Sequence, residues 1–197
     1  MVPAPPRTVG IVAFDGMEVL DYAGPYEVFN VAGECMTDRG LEVRAIGCTE
    51  GPVTGRGGFA VLPHATIADS SPPDILVIPG GAGTRPLVRE SEVVDWVRSA
   101  AQESELVLSV CTGALVLAAA GLLEGRQATT HHGAFDELVA LSPSTTVVEG
   151  RRFVQSSDRI WTSAGVSAGI DLSLHVVGLL LGEDVRNEVV EEMEWGW

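Results

Sequence analysis

Three apolar runs along the chain have the pattern of strands that are buried on both faces of a sheet. They cover Thr8 to Phe14, Asp74 to Ile78 and Leu106 to Val110, and nearly every side chain in them is apolar or β-branched. Helical patterns alternate with them, most clearly the amphipathic stretch from Ser91 to Glu103 and the apolar stretch from Ser167 to Leu181. Strands that alternate with helices predict an α/β fold with a parallel sheet covered on both faces.

Shorter elements are predicted between these. Gly24-Pro25 is expected to open a helix, because proline has no intrahelical hydrogen bond to lose in the first turn. Leu41 to Cys48 and Phe59 to Leu62 are predicted strands, and the turn-rich stretch GPVTGRGG between them indicates a hairpin connection. Ser91 is the expected N-cap of its helix. The second half of the chain adds a predicted helix over Thr112 to Ala120, a strand over Arg126 to Thr130, a short helix around Phe135 to Leu141 and a hairpin over Thr145 to Ser163.

Composition narrows the class of protein. The 197 residues suit one domain, which we divide into an N-terminal extension (1–7), the α/β domain (8–182) and an acidic C-terminal segment (183–197). The formal net charge of −15 argues against nucleic acid as a partner, since a polyanion would be repelled. No apolar stretch has the length of a membrane span, and the N-terminus lacks the pattern of a signal peptide. The three cysteines have neither metal-binding nor disulfide-framework spacing, so we expect a cytoplasmic protein without a metal.

The strongest chemical signal is the sequence Ser109-Val110-Cys111-Thr112-Gly113, at the junction of a predicted strand and a predicted helix. Small residues two positions away on either side of the cysteine permit the tight, strained turn of a nucleophile elbow. The positive end of the helix dipole is expected to lower the pKa of the thiol. The alternative is that Cys111 is a small buried apolar residue, as most free cysteines are.

A nucleophile at this position needs donors for developing negative charge and a group that moves protons. The loop IPGGAG follows a neighbouring strand, and the N–H groups of Gly81 and Thr112 are the candidate donors, with Ala82 beside them; a flexible turn is the alternative for this loop. Asp21 is the candidate proton carrier, because the apolar pair before it would draw it inward and burial raises the pKa of a carboxyl group. A helix-capping role is equally open for Asp21.

Other polar residues have simpler interpretations. Asp15 is expected in a turn and Glu18 in solvent. His131 and His132 would line the rim of the pocket, although a histidine near the surface is more often structural than catalytic. His175 lies in an apolar helix and is expected to be a core histidine with its hydrogen bonds satisfied.

Four segments together resemble the ThiJ/PfpI superfamily: VLDYAGPYEVF, IPGGAG, SVCTGALVLAAAGLLEGRQATTHH and WTSAGVSAGIDLSL. The resemblance spans Thr8 to Leu181 and implies a single-domain, flavodoxin-like parallel-sheet sandwich of the class I glutamine amidotransferase-like type. It is nearest to the isonitrile hydratase branch, in which a cysteine at the position of Cys111 attacks the isonitrile carbon and an aspartate at the position of Asp21 manages protons. In that branch a threonine follows the nucleophile, as Thr112 does, whereas tryptophan is common at the position of His132.

The resemblance also implies that Gly81 is the backbone donor of the oxyanion pocket and that His131 lies near the nucleophile. It implies a homodimer that hydrates a small-molecule isonitrile to an N-substituted formamide through a covalent thioimidate, without a cofactor. Peptidase-like relatives have a histidine directly after the cysteine, and glutaminases have a late His-x-Glu element; neither pattern occurs here. Deglycase-type relatives have glutamate in the early loop, where this chain has Asp21.

Two alternatives remain open at this point. One is an amidase- or deglycase-like hydrolase of the same superfamily. The other is a ligand- or redox-sensing domain without turnover, since the SVCTGA and TTH segments also resemble the N-terminal part of AraC-type regulators. We expect no DNA-binding module to accompany the domain, because the sequence given finishes at EEMEWGW.

Overall fold

The computed structural model describes residues 5–35 and 40–196. The strands are β1 (Arg7–Ala13), β2 (Leu41–Gly47), β3 (Val53–Thr54), β4 (Ala60–Val61), β5 (Ala65–Thr66), β6 (Ile75–Ile78), β7 (Leu106–Ser109), β8 (Gln127–Ala128), β9 (Thr146–Val147), β10 (Phe153–Gln155) and β11 (Ile160–Ser163). The helices are α1 (Val19–Glu34), α2 (Thr84–Leu87), α3 (Ser91–Glu103), α4 (Gly113–Ala119), α5 (Phe135–Leu141), α6 (Ala168–Leu181) and α7 (Glu183–Glu192). None of these helices has the length and apolar character needed to cross a membrane.

Seven of the described strands form a central sheet in the order β10-β11-β7-β6-β1-β2-β5. Neighbouring strands from β11 to β5 are parallel, and the edge strand β10 is antiparallel to β11. Every residue of β6 and β7 is buried, as expected of parallel strands covered on both faces. The predicted α/β domain with a mostly parallel sheet is therefore confirmed.

The strand order places three chain segments side by side at one edge of the sheet. Ile78 of β6 is in register with Ser109 of β7, so the loops that follow these two strands start next to each other. Val77 is in register with Ile11 of β1, which brings the loop after β1 to the same edge. The chain reverses its direction across the sheet between β1 and β6, and ligands of open α/β sheets bind at such a point.

The helices form two groups around the sheet. Helices α1, α6 and α7 pack against one another, and α4 contacts α2, α3 and α5. The acidic C-terminal segment thus contains a helix, α7, that packs on the domain and buries Val189.

Helix α1 begins at Val19 and contains Pro25, so the prediction that Gly24-Pro25 opens a helix is wrong. Proline lacks the N–H that would bond to the carbonyl four residues back, which here belongs to Asp21. The helix tolerates this loss because buried apolar side chains such as Phe29 hold it on the core. The earlier start places Asp21 in the first turn of α1.

The first predicted hairpin is also wrong. Strand β2 pairs in parallel with β1 and β5, so it does not pair with the segment from Phe59 to Leu62. Within that segment, β4 pairs antiparallel with β3, which lies inside the predicted connection. The positive φ angles of Gly57 and Gly58 allow the chain to turn back between β3 and β4.

Two further predictions are correct in part. Within Thr145 to Ser163, β10 and β11 do form an antiparallel pair, whereas β9 pairs in parallel with β8. Helix α3 covers the predicted residues, but its N-cap is Glu90 rather than Ser91, because Glu90 is the residue with extended backbone angles and Ser91 is already helical.

Candidate active site

Cys111 lies at a strained turn between β7 and α4. Its φ angle is +57°, a left-handed conformation that is costly for a residue with a side chain. The turn is tight on its other side as well, since a Cβ atom at Gly113 would lie 2.1 Å from the Ile78 carbonyl oxygen. Thr130 Oγ1 donates a hydrogen bond of 2.7 Å to the Cys111 carbonyl oxygen. The tight, strained turn predicted between the strand and the helix is therefore present at Cys111.

Asp21 is fully buried and faces this turn. Its Oδ2 accepts the Gly80 N–H at 3.1 Å, and its carboxyl group also faces the Cys111 thiol and the Val166 N–H. Among the described residues, Asp21 Oδ1 has no hydrogen-bond partner of good geometry. The N-cap of α1 is Glu18, so the alternative of a capping role for Asp21 is wrong. An unpaired buried oxygen favours the protonated carboxylic acid, which can donate where a carboxylate cannot.

Both side chains have raised pKa values. Burial raises the pKa of Asp21 to about 7, and burial together with the charge of Asp21 raises the pKa of Cys111 to about 12. The prediction that the helix dipole lowers the thiol pKa is therefore wrong, because these effects outweigh the N–H groups of Thr112 and Val166 that favour a thiolate. The two groups titrate as a pair. The pKa of Asp21 is the lower of the two, so the proton lost near neutral pH comes from its carboxyl group, and the Cys111 thiol keeps its proton.

The two predicted oxyanion donors have different surroundings. The Thr112 N–H faces the thiol, as predicted. The Gly81 N–H instead donates to Thr112 Oγ1 at 2.8 Å, so the prediction that it stabilises charge on a reacting atom is wrong. Ala82 is exposed at the tip of the loop and does not line the pocket beside Cys111.

Two residues of the site were not singled out from the sequence. Gly80 contributes the N–H that binds Asp21, and a Cβ atom at this position would lie 2.5 Å from the Thr112 nitrogen. Val166 has a positive φ of 55°, which turns its N–H towards Asp21 and Cys111. The paired glycines of IPGGAG were a usable signal for Gly80, whereas Val166 has no comparable signal beyond its place in the segment WTSAGVSAGIDLSL.

A pocket of about 390 Å³ lies beside the elbow and includes His131 and His132 in its lining, as predicted. The two imidazole rings are 4.2 Å apart between centroids. His131 Nδ1 accepts the Gly133 N–H at 3.1 Å. Burial, first of all, lowers the pKa of His131, so its ring is neutral at neutral pH. Within the described ranges, no group of three His, Cys, Asp or Glu residues is placed to hold a metal ion.

The surroundings of three other polar residues can be compared with those predicted from the sequence. Asp15 lies in a turn, as predicted, and its Oδ1 accepts the Thr54 N–H at 2.7 Å. Glu18 forms an ion pair of 2.7 Å with Arg56 and its side chain is only 17% exposed, so the prediction of a solvated side chain is wrong. His175 packs against aromatic rings, and its buried Nε2 has no partner among the described residues, which contradicts the prediction of a satisfied core histidine.

The fold and the site together define an α/β domain with a cysteine at a strained strand-to-helix turn and a buried carboxyl group against its thiol. Residues 7–179 match the model of the DJ-1/PfpI family, and the chain belongs to this family. The resemblance to the ThiJ/PfpI superfamily is therefore confirmed.

Named relatives cover most of the chain. This chain is 34% identical over 187 residues to the isonitrile hydratase of Pseudomonas putida. The aligned region covers 95% of this chain and 78% of that protein. A crystal structure of a ThiJ/PfpI family protein from Pseudomonas syringae superposes with a TM-score of 0.88 at 27% identity, over 99% of this chain and 77% of that one. The HTH-type transcriptional regulator CdhR of Pseudomonas aeruginosa is 30% identical over 92% of this chain, but the chain spans only 53% of its length. Its relatives thus include proteins named as a hydratase and as a regulator.

Proposed function

We propose that this protein hydrates an isonitrile to an N-substituted formamide through a covalent thioimidate on Cys111. The observation that carries the proposal is the contact between the Cys111 thiol and the buried Asp21 carboxyl group, because a thiol nucleophile needs a proton carrier within reach. The identity of 34% with the isonitrile hydratase of Pseudomonas putida over 95% of this chain supports the same reaction.

Addition starts once the Asp21 carboxylate has taken the proton of the Cys111 thiol, which leaves a thiolate beside a carboxylic acid. The Cys111 sulfur forms a bond to the terminal carbon of the isonitrile, and the proton of the Asp21 carboxylic acid moves to the same carbon. The product is a neutral thioimidate, R–N=CH–S–Cys111, and the negative charge now lies on Asp21. The Gly80 N–H, 3.1 Å from Asp21 Oδ2, stabilises this carboxylate.

Water completes the reaction. Its oxygen forms a bond to the thioimidate carbon, and the Asp21 carboxylate takes one proton from the water and passes it to the substrate nitrogen. The C–S bond then breaks, the remaining hydroxyl proton moves to Asp21 and the formamide R–NH–CHO is released. The sulfur recovers its charge and Asp21 its proton, so the net change is the addition of one water to one isonitrile.

The proposal is tested by measuring formamide with mass spectrometry after incubation with a panel of alkyl and aryl isonitriles. We expect product from the wild type and none from Cys111→Ala, whose folding is checked by circular dichroism because alanine must adopt the φ of +57°. Absence of formamide from the wild type with every isonitrile of the panel would disprove the proposed activity. Product from a folded Cys111→Ala variant would disprove the covalent route.

A second candidate is a ligand-sensing domain without turnover, which the 30% identity with the regulator CdhR over 92% of this chain favours. Calorimetry with the same isonitriles separates the two candidates. Binding without formamide supports the sensing domain, and formamide formation at multiple turnovers supports the hydratase. An amidase- or deglycase-like activity receives no such specific support from the site.

A further inference from the structure

The pocket beside Cys111 is basic, in contrast to the protein as a whole. Arg151, Arg152, His131 and His132 are among its lining residues, and no aspartate or glutamate of the described residues lines it. The chain as a whole has a formal net charge of −15. Such a cavity attracts small anions, although the negative charge of the rest of the protein repels them.

This pocket directly adjoins the elbow. Ala164 and Thr130 both line it, and both contact Cys111: the Cys111 N–H donates to the Ala164 carbonyl oxygen at 3.2 Å, and Thr130 donates to the Cys111 carbonyl oxygen. The Ala164 N–H in turn donates to the Arg152 carbonyl oxygen at 2.9 Å. Strand β10 is antiparallel to β11 and starts just after Arg152, so Arg152 lies next to the carboxyl ends of β7 and β11. The two arginines therefore lie on the same edge as the nucleophile.

The two arginines differ in their partners. Arg152 is paired with Asp171, with its Nε 2.6 Å from Asp171 Oδ2, so its charge is already balanced. Arg151 is exposed and forms no ion pair with any residue that the structure describes. Arg151 is thus the arginine whose charge is available to a ligand in the pocket.

His131 supplies a neutral donor in the pocket wall. Because its Nδ1 accepts the Gly133 N–H, the neutral ring carries its proton on Nε2. The ring lies against Gly165, another lining residue, where a Cβ atom would be 2.4 Å from His131 Cδ2 and 3.5 Å from Nε2. The position of the ring thus depends on the absence of a side chain at Gly165.

From these contacts we infer that the substrate carries an anionic group and that the pocket binds this group through Arg151 and the Nε2–H of His131. The substrate class is a small isonitrile with a carboxylate, whose isonitrile carbon lies at Cys111 while its carboxylate lies among the basic residues. The inference rests on the proposed function, because it names the kind of isonitrile that would be hydrated.

The test compares isocyanoacetate with its uncharged methyl ester on the purified full-length protein. We expect kcat/KM for isocyanoacetate to exceed that for the ester by roughly tenfold, and Arg151→Gln to remove this preference by lowering kcat/KM for isocyanoacetate far more than for the ester. The control is Arg89→Gln, since Arg89 is also an exposed arginine but does not line the pocket, and it should change neither value. An ester that is hydrated as well as the acid, or an Arg151→Gln variant that lowers both equally, would overturn the inference.

A binding measurement separates this inference from the proposed function. N-formylglycine and its methyl ester are the corresponding products, and calorimetry measures their affinity whether or not any isonitrile is converted. Tighter binding of the carboxylate, lost in Arg151→Gln and kept in Arg89→Gln, supports the anion site even if the hydratase proposal fails. Equal binding of the two products overturns the anion site even if isonitriles are hydrated.

Discussion

The Thr112 hydroxyl oxygen accepts the Gly81 N–H at 2.8 Å, and the same hydroxyl lies 3.1 Å from the Gly81 carbonyl oxygen, to which it donates. These two contacts tie the elbow after β7 to the glycine-rich loop after β6. The hydroxyl therefore does not orient the thiol. It holds the loop whose Gly80 N–H binds Asp21, and so acts on the site through the backbone.

Substitution of Thr112 by valine should lower stability more than it alters the chemistry of the thiol. Valine has nearly the same volume but leaves the Gly81 N–H and carbonyl without their partner, which should lower the free energy of unfolding by roughly 1–3 kcal/mol. Thr112→Ser keeps the hydroxyl and serves as the control, with a much smaller loss. Denaturant unfolding measures both. If valine, which lacks the hydroxyl, destabilises the protein no more than serine, which keeps it, the two hydrogen bonds to Gly81 do not account for the loss.

Substitution of Asp21 by asparagine should abolish formamide production, because an amide can neither give up a proton to the substrate carbon nor take one from water. We expect a loss of at least ~100-fold in rate. Asp15→Asn is the matched control, since Asp15 lies in the same loop region and asparagine can still accept the Thr54 N–H. Its rate should stay close to that of the wild type. An inactive Asp15→Asn variant together with an active Asp21→Asn variant would assign the proton transfer to Asp15.

The parallel sheet was predictable because the strands that form it are buried on both faces. Burial on both faces requires a continuous apolar run, as in Asp74 to Ile78 and Leu106 to Val110, and this signal depends little on the rest of the fold. The helix at Pro25 and the pairing of β4 were not predictable in the same way. Proline is a local helix signal that packing on the core can override, and the partner of a two-residue strand is decided by distant contacts.

The sequence indicated which residues lie at the site, but not which of their atoms form hydrogen bonds or how their pKa values shift. Cys111 and Asp21 stand out because small neighbours and an apolar pair are local features of the sequence. The Gly81 N–H, predicted to face the reacting atom, binds Thr112 Oγ1, and the neighbouring Gly80 N–H binds Asp21. The sequence does not show which N–H of a glycine pair faces the site. The sign of the thiol pKa shift depends on burial and on the distance to Asp21, which the fold alone determines.

The raised pKa of Asp21 predicts a loss of stability as the pH rises. This pKa is about 7 in the folded protein, against an ordinary value of 3.8 for an aspartate. Between these values the unfolded chain has lost the Asp21 proton and the folded protein has kept it, so unfolding becomes more favourable with increasing pH. The stabilisation is complete below about pH 4 and is lost as the pH passes about 7, with a size of roughly 4 kcal/mol.

The measurement is the difference in unfolding free energy between the wild type and Asp21→Asn at several pH values between about 4 and about 8. Groups that do not contact Asp21 affect both proteins alike, so they cancel in this difference. The difference should move in favour of Asp21→Asn as the pH rises. A difference that is constant with pH would mean that Asp21 titrates at its ordinary pKa.

Substitution of Gly80 by alanine should push Asp21 away from the turn that carries Cys111. The added Cβ atom would lie 2.5 Å from the Thr112 nitrogen, 2.7 Å from Asp21 Oδ2 and 2.8 Å from Cys111 Cβ, and these atoms belong to the backbone or to short buried side chains. We expect a loss of roughly 1–3 kcal/mol in stability from overpacking and a fall of at least ~100-fold in formamide production. Ala82→Ser is the control, because it also adds one heavy atom to the same loop but at an exposed position, and it should change neither quantity. A Gly80→Ala variant with wild-type activity would show that the Asp21–Cys111 contact tolerates displacement, and Asp21 would then have to act on a water rather than directly at the substrate carbon.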